Sequence, residues 1–242
     1  MNRNNIKNYL FTLLATLSTV ALTNEAILVP DNILDVRSGK LIQAQIHIKD
    51  GLIKSIAKKI DSKADIEVIN LKGITLVPGL MDAHVHLIGN NELNGYQSMS
   101  ESSQMATLYG VKNAKSTLMA GFTTVRNVGA GEFADVALRD AIKRGIVEGP
   151  TMLVSGPTLS ISGGHGDNNL MPYTSDIKTK KHNIVDSPWE GRKAVRLNRK
   201  YGANLIKFTA TGGVMSKNTD VNARQFTYEE MQAMIDEAHS HG

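Results

Sequence analysis

The chain has 242 residues, 41% hydrophobic and 21% charged, enough apolar content to bury a core and too mixed for a disordered tail or a fibrous repeat. With Arg3 and Lys7 set aside, the 27 basic residues fall to 25 against 23 acidic ones, which is no nucleic-acid footprint. The absence of cysteine excludes disulfides, thiolate metal sites, iron–sulfur clusters and cysteine nucleophiles, while seven histidines leave imidazole and carboxylate chemistry open.

Arg3 and Lys7 precede an uncharged run at 9–22, YLFTLLATLSTVAL, in the order of a secretory signal. The run is too short to span a bilayer comfortably, and small residues at Thr19, Ala21 and Thr23 place cleavage near Leu22 or Asn24. The expectation is a signal over 1–23 and an exported protein, periplasmic or secreted, with no stable membrane association once the signal is removed. An uncleaved anchor or a buried first helix is the alternative.

Residues 27–70 read as short strands, ILVP, LIQAQIHIKDGLIKSI and IEVIN, separated by Asp31-Asn32, Asp50-Gly51 and the polar stretch 58–65. Asp50-Gly51 between apolar runs signals a hairpin. Ile42, Ala44, Ile46 and Ile48 alternate onto one face and leave His47 on the other, a solvated strand residue. The segment 24–73 is therefore expected to be a small β module.

From 74 onward the pattern becomes strand, loop, helix, repeated. ITLVPGLMDAHVHL reads as a strand, 104–120 as an amphipathic helix, FTTVRNVG as a strand and 133–147 as a helix. TMLVSG is the third strand, a long polar loop follows, 189–201 is helical, NLIKFTAT is the fourth strand, and 228–241 is a helix. Thr227 and Glu230 form a capping box ahead of a buried stripe of Met231, Met234, Ile235 and Ala238. Four βα units in a row imply a parallel sheet, open or closed as a barrel. No GxGxxG opens the first helix and no GxxxxGK[ST] occurs, which argues against a phosphate-cradling nucleotide site. A closed eightfold barrel takes about 250 residues, so over 74–242 a barrel would be incomplete, and a truncated chain is the expectation.

His84 and His86 stand two apart at the C-terminal end of a strand, so both imidazoles leave the same face and can share one ion. Ala83, Val85 and Leu87 then face the helices. His239 and His241 have the same spacing, but in a helix such residues point about 200° apart, and they are read as complements to the C-terminal dipole. Lys207 lies inside an apolar strand, sharing a face with Leu205 and Thr209. There it must lose its charge, find a counterion or be modified, for instance to a carbamate by carbon dioxide; alternatively it reaches out of the strand end to water. In the loop SISGGHGD, 160–167, the glycines let backbone approach a ligand closely around His165, which can orient a substrate or stabilise an oxyanion, or be an ordinary loop histidine. TGGVMS at 211–216 makes a second glycine-rich loop. Lys178, Lys180, Lys181 and His182 read as a solvated loop, Trp189 as packed on the barrel exterior, and Ser155, Ser160 and Ser162 lack the GxSxG setting of an activated serine.

Four motifs in this order, PGLMDAHVH at 78–86, GFTTVRNVG at 121–129, SGGHG at 162–166 and IKFTATGGVMS at 206–216, resemble the metal-dependent amidohydrolase superfamily, and within it the imidazolonepropionase-related and prolidase-like members. The resemblance runs from about Ile27 to Gly242. It implies an α/β fold, a (β/α)8 TIM barrel beside a small β-sandwich, with about half of the barrel present over 74–242. It also implies two divalent metals, zinc expected, at the barrel mouth. His84 and His86 match ligands of the more buried metal, Lys207 the carboxylated lysine that bridges the pair, and His165 a histidine that contacts the substrate. A metal-bound hydroxide would attack the amide carbonyl of a dipeptide or N-acyl amino acid; the alternatives are a cyclic amide or imidazolone substrate, or a silent chain acting only as an assembly partner. A homo-oligomer is compatible with the resemblance. The two further histidines and the catalytic aspartate of the superfamily match no position in this sequence, so the 242-residue chain is expected to be inactive by itself. Asn127 stands where similar sequences often carry Asp after TTVR, a departure from which little loss of metal binding is expected.

Overall fold

The computed structural model describes residues 25–93, 95–170, 172 and 182–242. The segment expected to be a signal, 1–23, its expected cleavage points, and Lys178, Lys180 and Lys181 lie outside the described residues. The chain forms two compact units that part between Pro78 and Gly79.

The first unit is a five-stranded sheet built on β1, Glu25–Asp35, with β2, Lys40–Ile42, β3, Gln45–Lys49, β4, Leu52–Ala57, and β5, Glu67–Leu76. β2 and β3 pair antiparallel with β1, β5 pairs parallel with it, and β4 pairs antiparallel with β3. The hairpin falls at Asp50-Gly51: both residues have positive φ, 52° and 72°, which places the pair in the turn whose twist matches the flanking strands. Asp31-Asn32 is not a break, because β1 runs through it and absorbs the irregularity as a bulge between Pro30 and Asn32 against β5. Ile74 to Leu76 belong to β5, so the expected strand over 74–87 is two strands with a gap at 77–79. Ile27, Ile33 and Ile46 are the buried hydrophobic residues here. His47 is half-buried and its Nε2 meets Glu25 Oε1 at 2.6 Å, so the expected solvated residue has a carboxylate partner instead.

The second unit has a parallel sheet of β6, Leu80–Val85, β7, Phe122–Asn127, and β8, Thr151–Val154, in that order. Its helices are α1, Ser103–Met119, α2, Ala134–Lys143, α3, Pro188–Lys200, and α4, Tyr228–His239. Ser102, Ser187 and Thr227 cap α1, α3 and α4 by accepting backbone N–H groups, and Thr227 with Glu230 completes the expected capping box. The expected helix at 133 begins instead as a short 3-10 turn in which Glu132 and Phe133 take φ of 51° and 57°, and α2 starts after it. The Phe133 ring stacks on His182 and tilts against Tyr201, at centroid distances of 5.8 and 4.8 Å, while His182 stays exposed as expected. Trp189 opens α3 but is 79% exposed, against the expected packing.

Residues 204–209 run beside the chain leaving β8. Asn204 donates to the Val154 carbonyl at 2.8 Å, Leu159 to that of Lys207 at 2.8 Å, and Thr209 to that of Leu159 at 3.1 Å. The fourth strand is thus present as a course of the chain with a single parallel bridge, Leu159 to Phe208, and not as a continuous ladder. Gly156, at φ of 65°, and Pro157, which has no N–H, break the pairing between. Leu87, Ala114, Val125, Leu138, Met152 and Val154 form one core cluster under α1 and α2; Leu159, Val185, Ala194, Val195, Phe226 and Met234 form another under α3 and α4. Ile235, placed in the buried stripe by periodicity, is 38% exposed while Ala233 takes a buried position. Glu237 joins the two helices by accepting from Arg196 at 2.6 Å and from His241 at 2.9 Å; His241 lies past the end of α4.

Candidate functional site

β6 carries His84 and extends directly into His86, and the period of two brings both rings out on one face, 5.3 Å apart between centroids and edge to face. Val85 and Leu87 turn the other way into the first core cluster. Burial pushes the His86 imidazole below its ordinary value and the neighbouring His84 adds to that, while a hydrogen bond with the Gly129 backbone pulls upward; Lys207 and His165 add smaller downward pushes. A neutral imidazole is the form that binds metal.

Lys207 is half-buried on the fourth-strand course, held there by its carbonyl's bond from Leu159. His165 sits on the loop after β8. Its N–H donates to Gln225 Oε1 at 3.1 Å and its Nδ1 pairs with Ser216 Oγ. Gly213 packs so closely on the ring that a Cβ there would overlap it, which gives the glycine-rich loop at 211–216 its physical reason. Asn169 Nδ2 reaches the carbonyls of Gly163, Gly164 and Lys217, at 2.9, 3.1 and 3.3 Å, so the two glycine-rich loops brace one another.

Among the described residues no group of three or more His, Asp or Glu side chains stands ready to hold an ion. Two imidazoles on one face fit a share of such a site: they are nitrogen donors of the right hardness for zinc. The serines behave as the missing GxSxG implies. Ser155 and Ser160 are fully buried, Ser160 Oγ accepting from Gly166 N–H at 3.0 Å, and Ser162 Oγ donates to Asp186 at 2.5 Å.

Sequence reading missed a layer beneath these residues. Asn127 and Asp135 are fully buried at the ends of β7 and the start of α2. Asn127 Oδ1 accepts from Leu87 N–H at 2.8 Å, and Asp135 Oδ2 accepts from Gly156 N–H at 3.0 Å and Asn127 Nδ2 at 3.3 Å. Burial pushes the Asp135 carboxyl up, against the hydrogen bonds from Gly156 and Asn127. The one available signal was the Asn that replaces Asp at 127. Asp135, in the first turn of an amphipathic helix, reads as an ordinary dipole partner.

The second unit is about half of a (β/α)8 barrel, with a histidine pair at the C-terminal end of its first strand, the end at which such barrels place their chemistry. The amidohydrolase family matches residues 75–242, and the chain belongs to that family. It is 32% identical to an ochratoxinase of Aspergillus niger over 222 residues, 82% of this chain and 44% of that one. Among solved structures it superposes on a Xaa-Pro dipeptidase with methionine in the active site at a TM-score of 0.81 and 31% identity, covering 90% of this chain and 55% of that one. A prolidase complexed with N-methylphosphonate-L-proline gives 0.80 and 28%, covering 90% and 54%. The chain thus spans about half the length of the relatives it matches.

Proposed function

We propose that this protein belongs to a hydrolase of carbon–nitrogen bonds that cleaves non-cyclic amides, in dipeptides or N-acyl amino acids, with two divalent metal ions. The observation that carries the reading is the His84–His86 pair on one face of a barrel strand end, with His86 within electrostatic reach of Lys207 and His165. His84 and His86 would hold one ion as neutral imidazoles, and Lys207 would share in holding the pair as a carbamate formed with carbon dioxide. Bound metal supplies an acidic water near neutral pH and polarises a carbonyl. His165, fixed at Nδ1 by Ser216, keeps its other ring nitrogen for the substrate. The Xaa-Pro dipeptidase and prolidase likenesses support the dipeptide class.

Zinc content and hydrolysis of matched panels of dipeptides, N-acyl amino acids and cyclic amides, measured on protein from its native source, test this. Turnover of the open amides with two zinc ions per chain is the expected result. Turnover of the cyclic panel alone would replace the substrate class, and a metal-free active protein would remove the reading. Export is part of the same proposal, resting on Arg3, Lys7 and the uncharged run after them. N-terminal sequencing that finds Leu22 or Asn24 first supports it, and an intact Met1 refutes it.

A further inference from the structure

The backbone that carries His86 is clamped from two sides. Leu87, the next residue, is 6% exposed; its N–H donates to Asn127 Oδ1 at 2.8 Å and its carbonyl accepts from Asn113 Nδ2 at 2.8 Å. Asn127 Nδ2 also donates to the Gly129 carbonyl at 3.2 Å. Gly129 lies against the His86 ring: a Cβ there would stand 3.7 Å from Nδ1. One side chain therefore holds both the segment from which His86 projects and the segment on which its ring rests. Leu87 N–H, which only donates, and the Gly129 carbonyl, which only accepts, fix which way the Asn127 amide points, and Asp135 Oδ2 takes its second N–H at 3.3 Å.

We propose that Asn127, held by Leu87, Gly129 and the buried Asp135, is a positioning residue that sets the His86 ring for metal binding. The proposal rests on the metal-site reading above and adds to it that the site's geometry is held from β7 and α2. It also accounts for the departure at 127. An Asp there would set two acceptor-only carboxylates about as close as the present 3.3 Å contact, in a buried setting where both cannot stay ionised. Asn is the residue that Asp135 admits.

The test is zinc titration of the purified protein with a competing chelator. Zinc binding by the unaltered protein that His84→Ala abolishes tests the metal-site reading; its dependence on Asn127 tests this proposal. Asn127→Ala, with its fold checked by circular dichroism, is expected to weaken zinc binding by about 10- to 100-fold, the usual effect of removing a residue that orients a metal-binding histidine. Asn127→Asp should weaken it too, and adding Asp135→Asn, which relieves the carboxylate pair but leaves the Gly129 carbonyl without its donor, should recover part of the affinity. A merely structural role would lower stability and leave the folded protein's zinc affinity within about twofold, and that result overturns the proposal. If Asn127→Ala does not fold, the exchange pair decides, and a folded double variant no better than Asn127→Asp overturns the proposal.

Discussion

The two units bury different things. Among the described residues, the first unit buries Ile27, Ile33 and Ile46 and no polar side chain, whereas the second buries Asn127, Asp135, Ser155, Ser160, Asn198, Thr209 and Glu237 beside its apolar clusters. Five of those seven stand at or just beyond strand ends, at the opening of α2, or beneath the loops around His165, and Asn198 reaches the same end from α3, donating to the carbonyls of Ser155 and Pro157 at 3.1 and 3.0 Å. Burying a polar group costs free energy unless it is hydrogen-bonded, and it confers fixed geometry in return. The comparison shows where this chain accepts that cost: at the end of the sheet that presents His84, His86, Lys207 and His165.

The largest test of that contrast is Asp135→Ala. It orphans Gly156 N–H and one N–H of the Asn127 amide in the interior, and at about 2 kcal/mol for each unsatisfied donor the expected loss is about 4 kcal/mol by urea unfolding. A loss below about 1 kcal/mol would mean that water replaces the carboxylate and that the layer is not a fixed brace. Next is Ile27→Ala, which opens a cavity in the apolar unit and should cost about 3 kcal/mol. Native-state hydrogen exchange should report it in β1, β3 and β5 and leave β6 to β8 unchanged; equal acceleration everywhere would show that the two units open as one.

A smaller, pH-dependent effect has opposite signs in the two units. Lys49 and His47 hold the Glu25 carboxyl below its ordinary 4.5, so its contribution is present above 4.5 and is lost as pH falls through the lowered value. Burial raises Asp135 above 3.8, so its contribution is full below 3.8 and is lost as pH rises through the raised value. Glu25→Gln should therefore remove part of the acid-side loss of protection in β1 and β3, and Asp135→Asn should flatten the opposite slope in β7 and β8. Slopes of one sign in both units would break the distinction. Below this comes Gly51→Ala, which forces a side chain into φ of 72° at the hairpin and should cost about 1 kcal/mol in the first unit alone.

What the sequence displays is what short-range chemistry dictates. Asp50-Gly51 announces the hairpin, Thr227 and Glu230 the start of α4, and the two-residue spacing of His84 and His86 their common face, because each depends on neighbours within a few positions. The layer under the site depends on partners far along the chain: Asn127 meets Leu87 forty residues away, and Asp135 meets Gly156 twenty-one away. Nothing in FADVALRDAIK marks Asp135 as buried rather than as one more charge on a polar face. The left-handed pair Glu132 and Phe133 is hidden for the same reason, since the Phe133 ring fits against Gly156, His182 and Tyr201, which only the fold brings there. The fourth strand was legible as an apolar run, but its interruption comes from the neighbouring chain at Gly156 and Pro157 and not from its own residues.

The smallest expected effect sharpens the apolar side of the comparison. β4 exposes Leu52, Ile53 and Ile56 at 61%, 62% and 50%, whereas the three buried isoleucines of the first unit lie on β1 and β3. A side chain that folding barely removes from water contributes little, and Ile53→Ser should change stability by less than about 0.5 kcal/mol. The same substitution at a covered position would cost about 2 kcal/mol, since a fully buried isoleucine contributes on that scale. Urea unfolding of Ile53→Ser beside Ile27→Ala therefore reads out directly whether this sheet face is open in the protein as isolated: a near-zero cost at 53 leaves the three isoleucines as the unit's core, and a cost approaching that at 27 means the exposed face of β4 is covered.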